Sequence, residues 1–347
     1  MNSLREMPCV SRKCRKTPWA IMAGLGLAVV WAASAKGADS SSFELIQTID
    51  LKGKAGSLDH MTLDAKHQRL FVANKVNNTL DVVDLKAGKL LRQIRGQSGV
   101  QGLAYAPDVD RLFAALGGGG LVNIFEGDKN KLVKTIKVGD EADNVRYHQP
   151  SGHVYVAHAE AGMDVIDAKE LTELKDIKLP AESESFQFDF DNHRLFANTP
   201  SSRQVQVIDT DKNEIVGNYP VKMADKNFAM AYDPARKRLF IGCRKPGMVV
   251  VMDSTSGKEI RGIEIPEGVD DLWLDAKRKR LYASCGEGFL AVISLGDGDN
   301  YQLTEKVPTA RGAATSYFDA DTSRLYLGVP RQEGKQGPEI RVFQVKP

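Results

Sequence analysis

Four acidic residues, Asp59, Asp143, Glu184 and Asp270, stand 84, 41 and 86 residues apart, close to multiples of 42. Each is followed by a second polar residue: His60, Asn144, Ser185 and Asp271. Two chemistries suit such a set. Oxygen donors with an occasional imidazole would hold Ca²⁺, Mg²⁺ or Mn²⁺ better than a thiol-seeking metal. Asp59, His60, Glu184 and Asp270 are the candidate ligands, with His60 and Glu184 the leading pair. Alternatively, His60 or Glu184 would act as general base while a cation or Arg146 polarises a carbonyl. Either use requires distant residues to meet. Carboxylates brought together repel unless a cation, a proton or an arginine lies between them.

The elements that would bring them together repeat. An aromatic residue preceded by a basic and an aliphatic one recurs at Phe71, Phe113, Tyr155, Phe196, Phe240, Tyr282 and Tyr326, at intervals of 42, 42, 41, 44, 42 and 44 residues. Each unit reads as four short strands. The first gives HMTLD (60–64), RLFVAN (69–74), TLDVVDL (79–85) and KLLRQIRG (89–96), apolar residues alternating with period two and Gly, Asn, Asp and Lys at the joints. Four strands per unit and a period near 42 predict propeller blades, each sheet burying its faces against both neighbours. The last unit, 315–319, 324–329 and 339–345, is one strand short, and FELIQTIDL (43–51) precedes the first. The expected fold is therefore an all-β, seven-bladed β-propeller with four-stranded antiparallel blades. Strand 43–51 would pair with the C-terminal blade and remove two sheet edges.

The stretch RLFVANKVNNTLDVVDLKAGKLLRQI (69–94) resembles the repeat of the YVTN/YncE-like propeller family, including its N-N-T-x-x-V-x-D turn and strand. The resemblance covers 43–347. It implies the seven-bladed fold and either a ligand- or protein-binding role or one related to propeller lactonases. The chain departs from six-bladed gluconolactonase propellers in blade number, so their channel-cation ligands do not transfer one by one. No C-x-x-C-H attaches a haem, and past the leader Trp273 is the only tryptophan, against the recurring tryptophans of quinone propellers.

Aligned on the aromatic anchor, the inner strands open on Asp59, Gln101, Asp143, Glu184, Phe228, Asp270 and Ala314, then on His60, Gly102, Asn144, Ser185, Ala229, Asp271 and Thr315. In a propeller these positions surround the channel mouth. The second strand returns to that face and ends, three residues past the anchor, on Asn74, Leu116, His158, Thr199, Cys243, Cys285 and Val329. The candidate ligand-binding set is thus Asp59, His60, Gln101, Asp143, Asn144, Arg146, His158, Glu184, Asn227, Asp270, Asp271 and Arg311, with Arg146 and Arg311 as counter-charges. The alternative is a water-filled channel whose carboxylates accept N–H bonds from their own loops.

Other polar repeats read as structural. Asp64, Asp189, Asp233, Asp275 and Asp319 open tight turns and are expected to bond backbone N–H groups two residues on. The matching Arg69, Arg111, Arg194, Arg238, Arg280 and Arg324 are expected to pair with those turns. No nucleophile elbow is present, and ALGGGGLVNIF (115–125) joins two strands rather than cradling phosphate. Cys243 and Cys285 share a register in adjacent blades. They are a candidate disulfide, and with His158 a candidate metal cluster.

Residues 1–35 read as a signal peptide and 36–42 as a linker. Arg5, Arg12, Lys13, Arg15 and Lys16 precede the apolar run PWAIMAGLGLAVVWA and the small residues ASA (33–35). Cleavage would lower Lys+Arg from 47 to 42 and Asp+Glu from 45 to 44, a net charge of −2. A near-neutral body lacks the basic stripe that nucleic-acid binding needs. The expectation is an exported, periplasmic or extracellular monomer without a membrane span. Its partner would be a small ligand or an envelope protein, and a divalent cation is the only candidate cofactor.

Overall fold

A computed structural model describes residues 41–54, 56–330 and 337–347. The expected signal peptide (1–35), most of the linker and most of the insertion 330–338 lie outside the described residues. Residues 41–347 form seven four-stranded antiparallel sheets. Their innermost strands are Met61–Asp64, Val100–Ala106, Ala142–His148, Phe186–Asp189, Asp225–Asp233, Val269–Asp275 and Ser316–Asp319, defining blades 1 to 7 in that order. Blade 1 consists of Met61–Asp64, Arg69–Asn74, Thr79–Asp84 and Lys89–Arg95, within a residue of the boundaries read from the alternation. No helix among the described residues is long and apolar enough to cross a membrane.

Closure follows the same logic. Phe43–Asp50 supplies the outer strand of blade 7, pairing antiparallel with Glu339–Val345 from Phe43 opposite Val345 to Asp50 opposite Glu339. The core lies between blades. Phe113 and Val122 of blade 2 pack with Val145 and Val156 of blade 3, and the ring's two ends meet where Ile49, Tyr326 and Ile340 pack against Leu70 and Val83. The seven anchor aromatics are buried between sheets, six of them completely: Phe71, Phe113, Tyr155, Phe196, Phe240 and Tyr282. Their spacing is regular because each must meet the next sheet at the same depth.

The turn acids bond backbone N–H groups as expected, but mostly three residues on rather than two, Asp319 alone taking the N–H of Asp321. Asp64 accepts the His67 N–H at 3.1 Å, Asp233 the Arg236 N–H at 3.0 Å and Asp275 the Arg278 N–H at 3.0 Å. Two anchor arginines bond their own turns as expected, Arg111 donating to the Asp110 carbonyl and Arg238 to the Lys237 carbonyl, each at 3.1 Å. Arg69 reaches the Gly127 and Asp128 carbonyls of blade 2, Arg238 reaches Asp299 of blade 6, and Arg280 reaches the Lys346 carbonyl of blade 7. Arg69, Arg238 and Arg280 thus tie one blade to the next.

The residue before each anchor's basic residue has positive φ in every blade, at Gln68, Asp110, Gly152, His193, Lys237, Lys279 and Ser323. Only one of the seven is glycine. Gln68, at φ 52°, makes no side-chain hydrogen bond among the described residues. Gln68→Gly is therefore expected to stabilise by up to about 1 kcal/mol, partly offset by glycine's entropy in the unfolded chain. A urea titration checks it; a lowered midpoint contradicts the account.

Candidate functional site

At the start of several inner strands the pairing register slips: between Ala142 and Val145, between Val269 and Asp271, and between Val100 and Leu103. Such bulges break the pleat's alternation. Two consecutive polar residues, Asp143 with Asn144 and Asp270 with Asp271, can then both serve one opening.

Blades on opposite sides of the ring meet there. His60 Nδ1 of blade 1 lies 3.4 Å from Asp271 Oδ1 of blade 6, and its Nε2 lies 3.2 Å from Asn144 Nδ2 of blade 3. Asp59, His60 and Asp143 each place a ligand atom within 4.8 Å of the others. Asp271 Oδ2 also accepts the Ser316 N–H at 2.7 Å, which anchors it to blade 7. Gln101 lies at the rim and donates to the Ala142 carbonyl at 3.3 Å.

Two cations absent from the sequence-derived set complete the mouth. Lys75 Nζ is 3.3 Å from Asp59 Oδ2 and also donates to Gln101 Oε1. Arg244 donates to Asp270 and to the Val269 carbonyl at 3.1 Å, with its guanidinium 3.6 Å above the Phe228 ring. Both occupy the position four residues past the aromatic anchor, after Asn74 and Cys243. That column of the repeat held the signal that would have found them.

The electrostatics are those of crowded acids. Burial and the neighbouring Asp59 push Asp143 up to about 7, against the pull of His60 and Lys75. Burial, Asp143 and Asp270 push Glu184 up to about 9. Burial also raises Asp270, although Arg244 opposes it. Burial disfavours a charged His60, yet Asp271, Asp59 and Asp143 outweigh it and hold the imidazole well above its usual range. Five carboxyl groups, Asp59, Asp143, Glu184, Asp270 and Asp271, thus share Lys75, Arg244 and His60. Protons make up the difference.

Four expected members lie elsewhere or do other work. Arg146 sits deeper, its Nη2 donating to Ser185 Oγ at 3.1 Å and its guanidinium 5.6 Å from the Phe186 ring centre. It forms no ion pair among the described residues, but it lines a small cavity with His60, Asn144 and Asp271, where burial disfavours its charged form and the Asp271 charge favours it. Asn227 is buried, donating to Asn198 Oδ1 at 3.1 Å and to the Gln204 carbonyl at 2.9 Å, and it joins blades 4 and 5. Arg311 is exposed on the loop leading to blade 7 and makes no ion pair among the described residues. His158 turns away from the channel into its own blade, towards Asp164 and Asp176. The second strand's terminal residue faces the sheet's side, not the axis.

Cys243 and Cys285 are free and buried. Cys243 packs between blades 4 and 5, Cys285 between blades 5 and 6. Equivalent positions in a radial array occupy successive, separate cores, so neither the disulfide nor the Cys/Cys/His158 cluster forms. Burial pushes both thiols up to about 12.

Two cavities flank the mouth and the channel. One, about 450 Å³, adjoins Glu184 on the rim and is lined by Glu182, Arg203, Asp225 and Phe228. Another, about 330 Å³, opens at the far ends of the inner strands below Arg146, among Tyr105, Tyr147, Phe188, Trp273 and Tyr317. A larger cavity of about 640 Å³ beside the turn Asp64–His67 has its polar groups committed to one another. Asp64 bonds His67 at 2.7 Å and Tyr105 bonds Asp110 at 2.7 Å.

No protein-family model matches the sequence. The chain is similar to an uncharacterized protein designated YncE of Salmonella typhi, 23% identical over 240 residues that cover 64% of this chain and 67% of the relative. The YncE protein of Salmonella typhimurium strain LT2 is 22% identical over the same extent. Among solved structures, Kuenenia stuttgartiensis hydrazine synthase superposes with a TM-score of 0.70 at 18% identity, covering 80% of this chain and 94% of that one. That likeness is one of fold.

Proposed function

Because the chain is a seven-bladed propeller similar to the YncE proteins, whose inner strands open on a different polar set in each blade around one axial mouth, we propose that this protein is an exported binding protein for a positively charged ligand. The ligand is a divalent cation such as Ca²⁺, Mg²⁺ or Mn²⁺, or a small organic cation, seated among Asp59, His60, Asp143, Glu184 and Asp270. One observation carries the reading: five carboxyl groups meet there with too few cations, so Asp143 and Glu184 are left holding protons at pKa values of about 7 and about 9. A cation would take the place of those protons. The rim cavity beside Glu184 gives an organic cation room for its apolar part.

The sign of the pH dependence follows. Protons and ligand compete, so affinity rises with pH between about 6 and about 9, and binding releases protons. Calorimetry with Ca²⁺, Mg²⁺, Mn²⁺ and a short diamine, in buffers of different ionisation heat, reads both effects. Asp143→Asn with Glu184→Gln is expected to weaken binding by more than about tenfold, each lost charge-assisted contact costing roughly 1.5–3 kcal/mol. Absence of binding by every probe at pH 9 would end the proposal.

A second reading is favoured by the same acid. A carboxyl poised near 7 beside a cation and an imidazole suits general acid–base catalysis, as in a metal-assisted lactonase-type hydrolase or lyase. Lactone turnover dependent on added divalent ion, and abolished by Asp143→Asn, would move the assignment from binding to catalysis.

A further inference from the structure

The strand ends that sequence alignment sends to the mouth build something different in blade 3. His158 closes the second strand, Asp164 lies on the third opposite Val156, and Asp176 lies opposite Asp164 on the outer strand. His158 and Asp164 are buried, at 1% and 3% exposure. His158 Nε2 lies 3.5 Å from Asp164 Oδ2 and 3.7 Å from Asp176 Oδ1. Both imidazole nitrogens and Asp176 Oδ1 are buried without a hydrogen-bond partner. A buried polar atom left unbonded costs roughly 1–3 kcal/mol, so His158 Nε2 and Asp176 Oδ1 facing each other unbonded require a reason.

The sister blades show how the same positions are normally closed. In blade 1 they hold Asn74, Asp81 and Gln93. Asn74 donates to Asp81 at 2.9 Å, Gln93 at 3.0 Å, and Thr79 adds a bond at 2.7 Å. In blade 2 Thr135 donates to Asn123 at 2.7 Å, and in blade 4 Gln206 donates to Thr199 at 3.1 Å. Amide and hydroxyl donors satisfy those triads. Blade 3 substitutes an imidazole and two carboxylates, which supply too few protons to bond one another.

We infer that His158, Asp164 and Asp176 form a binding site for a first-row divalent metal ion of the Zn²⁺ class, separate from the mouth. The spacings of 3.5 and 3.7 Å exceed a normal N–H···O bond of about 2.7–3.2 Å. They are close to the edge of a tetrahedron, roughly 3.4 Å, for ligands about 2.1 Å from a shared ion. One imidazole with two carboxylates is a borderline donor set that suits Zn²⁺ better than Ca²⁺. The imidazole is fixed where it stands, because a Cβ at Gly139 or Gly162 would overlap the ring. The carboxylates are oriented from behind: Asp164 Oδ2 also accepts the Gly139 N–H at 3.2 Å, and Asp176 Oδ2 is held by Lys178. Asp176, at 29% exposure, gives the ion its entry and a fourth position for water.

The ion would staple the three outer strands of blade 3, and its binding energy would add to folding stability. The test uses full-length protein stripped with chelator, then titrated with Zn²⁺ by calorimetry and by elemental analysis after desalting. With the mouth weakened, Asp143→Asn is expected to retain one equivalent and to melt higher when loaded, and wild type is expected to retain at least as much. Asp176→Asn, at the most exposed of the three ligands, is expected to lose affinity by more than about tenfold and to lose the melting shift. Co²⁺ should give the intense visible absorption of tetrahedral coordination in wild type and not in Asp176→Asn. Near-ultraviolet circular dichroism establishes that the variant is folded, and His158→Gln provides a second ligand deletion. Failure of wild type to retain Zn²⁺, undiminished binding by both ligand variants, or loss of the bound equivalent in Asp143→Asn would each overturn the assignment.

Discussion

Protein lacking residues 43–50 is expected to lose at least about 5 kcal/mol of folding stability, and with it the sharp single transition of the intact ring. Phe43 and Ile49 are buried at 5% and 1% exposure, and removing each buried side chain of this size costs roughly 2–5 kcal/mol. The deletion also uncovers the edge of Glu339–Val345, whose backbone groups pair with the missing strand from Phe43 to Asp50. An unpaired edge of that length invites association between chains. Urea unfolding and light scattering should show a lower midpoint together with aggregation. A peptide spanning 41–51, added in excess, should restore both by re-adding the strand. An unchanged midpoint in the deleted protein would mean that the ring's stability does not depend on closure.

Glu184→Gln is expected to make the protein more stable at pH 8, by roughly 2–4 kcal/mol, and to leave it unchanged near pH 4. The folded protein raises Glu184 from an ordinary value of 4.5 to about 9 through burial and the adjoining Asp143 and Asp270. A carboxyl with a raised folded pKa holds its proton more tightly in the folded state. Its stabilising effect is complete below 4.5 and is lost as pH climbs towards 9. Asp143, at about 7, and the raised His60 act in the same direction. Lowered carboxylates such as Asp299, held down first by Arg238, act oppositely, but their contribution is complete above 3.8 and falls only in acid. Stability curves for wild type and variant, measured from pH 4 to 9 without divalent ions, should therefore diverge on the alkaline side. Adding the mouth's ligand should close the gap. Parallel curves would contradict the buried-acid account.

The blades were legible because their information is local. Alternation with period two, Asp-opened turns and an aromatic every 41 to 44 residues are properties of neighbouring residues, and they located Met61–Asp64, Arg69–Asn74 and the closing strand Phe43–Asp50 within one or two positions. The convergence of Asp59, His60, Asp143, Glu184, Asp270 and Asp271 also follows from the repeat, since equivalent strand starts must surround one axis. The direction of an individual side chain does not follow from it.

Within the sequence itself lie the number of blades, their closure and the acidity of the mouth, because a repeat that cannot bury its faces alone must stack on its neighbours until the ring is complete. Only the tertiary structure decided that Lys75 and Arg244 neutralise the rim, that Arg146 bonds Ser185 below it, and that His158 faces Asp164 and Asp176. The reason is the pleat. Bulges at Ala142–Val145 and Val269–Asp271 turn consecutive residues to the axis, whereas the strand ending at His158 keeps its register with Gly162 and directs the imidazole into its own sheet. Alternation counted along one strand carries no record of where its partner slips.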